Sequence, residues 1–267
     1  KFYKNEDINV TIIHTFKLKK ERKKINNIKF IYQNDTLAKR LIFVLKQTKE
    51  KYVSIIADDD FVFIDSIYDS INFLIKNKNY IAAQGLHHRF EIKKKRIQFL
   101  PSAIKDMMMN KEESKNSNVR IFQAFTTKFI DKFYVIMEKK HLLNICLTCL
   151  PIEKYSRVLL EYYWIICCAI LGKSKILNNL YCLRREHSKN DTKISTEIGI
   201  EQAISDKRFI LILIKCINNF YKKSKRKNKI NFSLLKVTLI IFRLKIIMKG
   251  KFKLMRILSN QLKSIKE

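Results

Sequence analysis

From Asn9 to Gln84 the chain alternates short strand-like runs with helix-spaced ones, and this alternation constrains the fold more than any other feature. NVTIIH (Asn9–His14) and IKFIY (Ile28–Tyr32) read as strands, with a charged loop or short helix over Phe16–Lys24 between them. TLAKRLIFVLK (Thr36–Lys46) places Leu37, Leu41, Val44 and Leu45 on one side, and Asn34 or Asp35 can cap it, so the spacing predicts a helix. Tyr52–Ile56 is a near-continuous apolar run of strand length, the pattern of a strand buried on both faces. Helical spacing returns over Asp65–Lys76 through Ile67, Ile71, Leu74 and Ile75, and Tyr80–Gln84 is again a strand. Strand, helix, strand, helix, strand predicts an α/β domain with a mostly parallel central sheet flanked by helices. In such sheets ligands gather beyond the carboxyl ends of the strands.

Further along, Leu100–Asn118 is polar and Met-bearing and reads as a loop or insertion. Two strand candidates follow, around IFQAF (Ile121–Phe125) and FYVIM (Phe133–Met137). Ser156–Leu171 reads as a strongly apolar helix and Lys175–Leu183 as a last strand. From Lys207 to Lys266 there are eighteen basic residues and no acidic one, in a pattern that suits two or three basic amphipathic helices. The expected organisation is therefore an α/β domain over residues 1–190 and a basic helical tail over 191–267.

Lysine and arginine number 55 against 24 acidic residues, for a net charge of +31, which points to an anionic partner: a membrane surface, nucleic acid or a phosphate-rich ligand. With 4 glycines and 2 prolines, turns must rely on Asn, Asp, Ser and Lys. The longest apolar runs are too short or too interrupted to span a bilayer: Phe209–Ile214 stops at Lys215, Val237–Met248 contains Arg243 and Lys245, and Leu159–Leu171 carries Glu161. Cys146-x-x-Cys149 has zinc-ligand spacing but no second pair to match it, so all six cysteines are expected as reduced, buried thiols of a reducing compartment.

The run KYVSIIADDDFVFID (Lys51–Asp65) ends a buried-type strand in three aspartates, Asp58, Asp59 and Asp60. Adjacent carboxylates repel one another unless a cation compensates them. Mg²⁺ or Mn²⁺ takes one or two carboxylates plus substrate phosphates, so a metal–phosphate site is one reading and a solvated acidic turn the other.

KYVSIIADDDFVFIDSIYDSINFLIKNKNYIAAQG (Lys51–Gly85) resembles the metal-binding core of GT-A fold glycosyltransferases, the family-2-like group that uses nucleotide-sugars. In that group a strand ends in a D-x-D-type motif, and NDTLAKRLIFVLKQTKEKYV (Asn34–Val53) fits the helix that precedes it. The resemblance covers about residues 8–190 and is specific around 51–85. It implies Asp58 and Asp60 as the D-x-D pair, one carboxylate on the ribose side of the donor and Asp60 on a Mn²⁺ or Mg²⁺ that bridges the two phosphates, with Asp59 able to do either. LLEYYWIICCAILGKSKILNNLYCLRREHS (Leu159–Ser188) resembles the later part of these enzymes. By that likeness Glu161 would be the catalytic base of an inverting transfer, Arg184 and Arg185 would grip the diphosphate, and His187 would be a third metal ligand or an ordinary surface histidine. His87 and His88 lie beyond the next strand end, on the expected acceptor side. The implied partners are a nucleotide-sugar donor and a saccharide or lipid-linked glycan acceptor in surface-glycan assembly. The implied place is cytoplasmic, peripheral on the inner face of a membrane through residues 207–266.

One departure stands out. Family members open with a strand ending in apolar-Pro-Thr/Ser-x-x-Arg, which this chain lacks, and Val10–His14 matches their second strand, with His14-Thr15-Phe16 where an acidic residue often reads the base. Either the first strand is missing or the donor pocket is incomplete. Two other readings fit less well. A haloacid-dehalogenase-type phosphohydrolase also places D-x-D after a buried strand, and Val62 suits it, but no Gly-Asp pair occurs in the chain. A nucleic-acid- or membrane-binding protein without catalysis is allowed by the charge and by YKKSKRKNK (Tyr221–Lys229), but no nucleic-acid-binding motif accompanies it.

Overall fold

A computed structural model of the chain describes residues 8–15, 27–101, 113–126, 132–154, 157–186, 207–224, 230–231 and 233–235. Strands β1 (Val10–His14) and β2 (Ile28–Tyr32) pair in parallel as a sheet of their own. The central sheet holds six strands: β3 (Tyr52–Val53), β4 (Phe61–Val62), β5 (Tyr80–Lys93), β6 (Arg96–Phe99), β7 (Ile136–Glu138) and β8 (Lys173–Glu186). Their order is β3-β7-β5-β8-β4, with β6 on the outer end of β5. Helices α1 (Leu37–Gln47), α2 (Ile64–Lys76), α3 (Ser117–Thr126), α4 (Lys139–Glu153), α5 (Arg157–Leu171) and α6 (Lys207–Ser224) complete the elements. The α/β class expected from the strand–helix alternation is the observed one. The sheet itself is mixed: β5 and β8 run parallel over ten paired positions, whereas β3–β7, β5–β7, β4–β8 and β5–β6 are short antiparallel ladders.

Local sequence accounts for the helix ends. In α1 the stripe Ala38, Leu41 and Leu45 is buried, and the Ala38 N–H donates to Glu153 Oε1 at 2.9 Å, a carboxylate from α4 that stands in for the absent side-chain cap. α2 buries Ile67 and Leu74 and ends at Asn77, whose N–H and Nδ2 both donate to Phe73 O, at 2.9 and 2.8 Å.

One expectation is corrected. IFQAF is helix α3, not a strand. Ser117, Ile121 and Ala124 are buried at spacings of four and three, the Asn118 N–H donates to Asn116 Oδ1 at 2.9 Å, and buried Arg120 donates to the carbonyls of Ala169, Ser114 and Lys115. A five-residue window was too short to show that period. In the expected tail, α6 places Leu213, Cys216, Ile217 and Phe220 in the same core as Trp164 and Ile145, and over its residues 211–224 Leu211, Lys215, Asn219, Lys222 and Lys223 are exposed. The rest of the expected tail, apart from residues 230–231 and 233–235, lies outside the described residues, as do Phe16–Lys24 and most of the Leu100–Asn118 loop. No described helix is long and apolar enough to cross a membrane. All six cysteines are buried, and burial pushes the Cys149 thiol up to about 12 and Cys216 to about 11.

If α6 belongs to the core, Phe220→Ala, at a side chain 0% exposed, costs about 3–5 kcal/mol. Urea denaturation measures this; a separable tail would leave the midpoint unmoved.

Candidate functional site

Chain topology, not local sequence, brings the site together. After β3 the chain turns at 57–60, where the Asp60 N–H donates to Ala57 O at 3.3 Å. β4 then zips onto β8, with Phe61 opposite Leu183 and Val62 opposite Cys182. That pairing lays the aspartate turn against the end of β8, where Arg184 and Arg185 stand. The turn is held from below by Phe63, whose N–H donates to Tyr181 O at 2.9 Å.

Asp60 is the centre of the result. Its side chain is only 4% exposed. Oδ1 accepts the Arg185 backbone N–H at 2.8 Å, and Oδ2 accepts the Tyr134 hydroxyl at 2.5 Å. Arg184 Nε lies 3.8 Å from Oδ2, and its guanidinium sits 4.8 Å from the centre of the Tyr134 ring. Burial pushes the Asp60 carboxyl above its ordinary value; Tyr134, the Arg185 N–H and Arg184 pull it down without cancelling that rise, and Asp59 adds to it. Asp58 is exposed and Asp59 half-exposed in the same turn.

Tyr134 is fixed from several sides. Its carbonyl accepts the Tyr181 hydroxyl at 2.6 Å and the Ser54 hydroxyl at 2.9 Å, and its ring meets His87 edge-on at 5.6 Å. His87 also stacks on Tyr181 at 5.8 Å. The histidine is 8% exposed and its Nε2 has no hydrogen-bond partner. Burial first, then the positive charges of Arg184 and Lys132, push its pKa down to about 3, so it stays neutral. Lys132 is itself buried. Tyr134, Ser54, Tyr181 and Lys132 are the members that sequence reasoning missed. Tyr134 is one of 11 tyrosines and sits 74 residues from Asp60, so nothing in the local sequence marks it.

The expected residues divide. Asp60, Arg184 and Arg185 come together. Glu161 is half-buried on α5 and is not among the partners of Asp60; its charge is felt by the Tyr162 phenol, which burial chiefly pushes up to about 12. His87, expected on the acceptor side, is buried against Tyr134 and Tyr181. His88 alternates to the opposite face and packs on Phe99 of β6 at 5.3 Å. His187 lies outside the described residues.

A divalent cation can be weighed against this donor set. The turn offers hard carboxylate oxygens, the class that Mg²⁺ and Mn²⁺ prefer. No group of three or more His, Cys, Asp or Glu that could hold a metal occurs among the described residues. One or two carboxylates of the turn is the number such ions use when substrate phosphates complete the shell. A cleft of about 420 Å³ between α2 and β8, lined by Asp69, Phe73, Lys76 and Asn179 among others, includes none of the residues around Asp60.

No protein family and no curated protein matches the chain. Among solved structures it is similar to S. aureus TarS, with a TM-score of 0.40 and 13% identity over 74% of this chain and 34% of that one. It is equally similar to S. aureus TarS 1-349, with the same score and identity over 74% of this chain and 56% of that one. The chain thus spans about a third and somewhat over half of those two structures. A backbone likeness that low gives no basis for carrying residues or roles across.

Asp60→Asn should leave the protein as stable as before at pH 7, or more so. Because the folded-state pKa lies above the ordinary value, the folded chain binds that proton more tightly than the unfolded chain. Stability then falls as pH rises from the ordinary carboxylate value through the folded one, and the neutral amide escapes this loss. Thermal melts of both proteins between pH 4 and pH 7 test it; a variant that melts lower at pH 7 than at pH 4, relative to native, contradicts it.

Proposed function

We propose that the chain is a nucleotide-sugar-dependent glycosyltransferase of the GT-A type, acting with Mn²⁺ or Mg²⁺ on a saccharide acceptor. The observation that carries this reading is the buried Asp60 carboxylate, oriented by two hydrogen bonds at the mouth of a cationic strand end. A solvated acidic turn would need none of this. Its carboxylates would point to water, and Asp60 would not be drawn inside at a cost to its ionisation.

On this reading Asp60 and Asp58 hold the metal, with His187 a third ligand. The metal would neutralise charge developing on the leaving nucleoside diphosphate. The Arg184 and Arg185 side chains would bind phosphate oxygens, and Asp59 or Asp58 would meet the ribose. Glu161 would take the proton from the acceptor hydroxyl as that oxygen bonds to the sugar and the sugar–phosphate bond breaks, giving inversion. Tyr134 holds the Asp60 carboxylate in one orientation throughout, as preorganisation requires. Acceptor contacts do not fall to His87. The Lys51–Gly85 resemblance supports the same assignment from sequence.

Calorimetric titration of UDP and GDP, with and without Mn²⁺, checks the proposal. One of the two nucleotides should bind only with metal, and Asp60→Ala should weaken that binding by ~100-fold or more, the loss expected for a buried charged ligand. Metal-independent binding that survives in Asp60→Ala would contradict it.

A further inference from the structure

Of the three partners of Asp60, the only cation is the one held least firmly. The Tyr134 hydroxyl and the Arg185 N–H make hydrogen bonds of 2.5 and 2.8 Å, whereas Arg184 Nε at 3.8 Å is an ion pair without a hydrogen bond. Arg184 is 34% exposed and the carboxylate 4%, so the guanidinium stands between Asp60 and solvent. Its own position is electrostatically crowded. Lys132 acts on the same His87 from within the fold, and Arg184 lies opposite Arg89 in the β5–β8 ladder. The flat guanidinium rests on the Tyr134 ring, 4.8 Å from its centre.

We propose that Arg184 is a built-in placeholder for the divalent cation: it holds the cation position before Asp60 and exchanges it for a place on the diphosphate when metal and nucleotide enter. This rests on the metal–nucleotide reading above. A single charge 3.8 Å away leaves the buried carboxylate under-compensated, and a divalent ion in direct contact compensates it better. The released guanidinium then meets phosphate oxygens, which its fork geometry matches two at a time. Tyr134 and the Arg185 N–H do not move, so the carboxylate keeps its orientation through the exchange. Arg184 thus opposes metal binding alone and favours nucleotide binding once metal is present.

The test reads those two effects separately on the whole chain, with Arg184→Gln. Mn²⁺ binding without nucleotide, followed by electron paramagnetic resonance of free Mn²⁺, should tighten by about 10-fold when a competing charge a few ångströms away is removed. Binding of UDP or GDP at saturating Mn²⁺, whichever the native protein takes, should weaken by about 10-fold with loss of a charge-assisted phosphate contact. Asp60→Asn should abolish Mn²⁺ binding both alone and combined with Arg184→Gln, and circular dichroism confirms that each variant folds. Unchanged or weaker Mn²⁺ binding in Arg184→Gln, beside a native protein that binds metal and nucleotide, overturns the exchange alone. If native and variant both ignore Mn²⁺, the metal reading falls and the exchange with it. Arg184→Met, which keeps an apolar stem over the Tyr134 ring, gives the same readings should the amide variant not fold.

Discussion

The parallel pairing of β5 with β8 is the constraint on which the rest of the structure depends. Both strands are fourteen residues long, and they pair from Tyr80 opposite Lys173 to Glu91 opposite Glu186, with three register shifts on the way. One of those irregularities needs Gly85. A Cβ there would come within 2.4 Å of the Asn179 carbonyl oxygen and 2.8 Å of Tyr181 Cβ, contacts no side chain tolerates. The close approach carries β8 past the bulge in register, so that Tyr181 meets His87 and Arg184 reaches Asp60. β4 and β7 are short additions to this pair, yet each delivers one half of the site: β4 follows the aspartate turn, and the segment before β7 brings Tyr134 and Lys132.

The electrostatics of the site follow from that placement. A chain of net charge +31 keeps the Asp60 side chain 4% exposed, held by the Tyr134 hydroxyl and the Arg185 N–H with Arg184 3.8 Å away. Such an arrangement is poor for stability alone, because desolvating the carboxylate outweighs what its neighbours return. Sites that hold charge at a cost are where function is expected. On the proposed reading the same logic accounts for the aspartate cluster: a cation from outside the chain would complete the turn.

Much of the fold was legible in the sequence because its signals are local. The stripes Ala38-Leu41-Leu45 and Ile67-Leu74 show helices α1 and α2 directly, and the strand runs at Ile28 and Tyr80 follow from β-branched and aromatic content, whereas the run expected over Tyr52–Ile56 keeps only Tyr52 and Val53 in strand, both half-buried, with Ile56 exposed. IFQAF misled because aromatic and β-branched residues favour strands in short windows, while the Asn116 cap and the buried face at Ser117, Ile121 and Ala124 lie partly outside it. In the basic tail, the apolar residues of α6 interleaved with lysines include Leu213, Ile217 and Phe220, which pack against the core. In the site, Asp60, Arg184 and Arg185 were legible because strand ends are where α/β proteins keep ligands. Tyr134 and Lys132 were not, since antiparallel pairings of distant segments place them, and neither residue type nor spacing announces that.

The central claim is that Asp60 is a metal-directed carboxylate and not half of a permanent ion pair. Crystals grown with Mn²⁺ and UDP or GDP, with anomalous diffraction at the manganese edge, measure it directly. The account predicts an anomalous peak at the turn of residues 58–60, about 2.0–2.2 Å from an Asp60 oxygen, with Arg184 turned toward the phosphates. A peak elsewhere, or none, with Arg184 still facing Asp60, would contradict it.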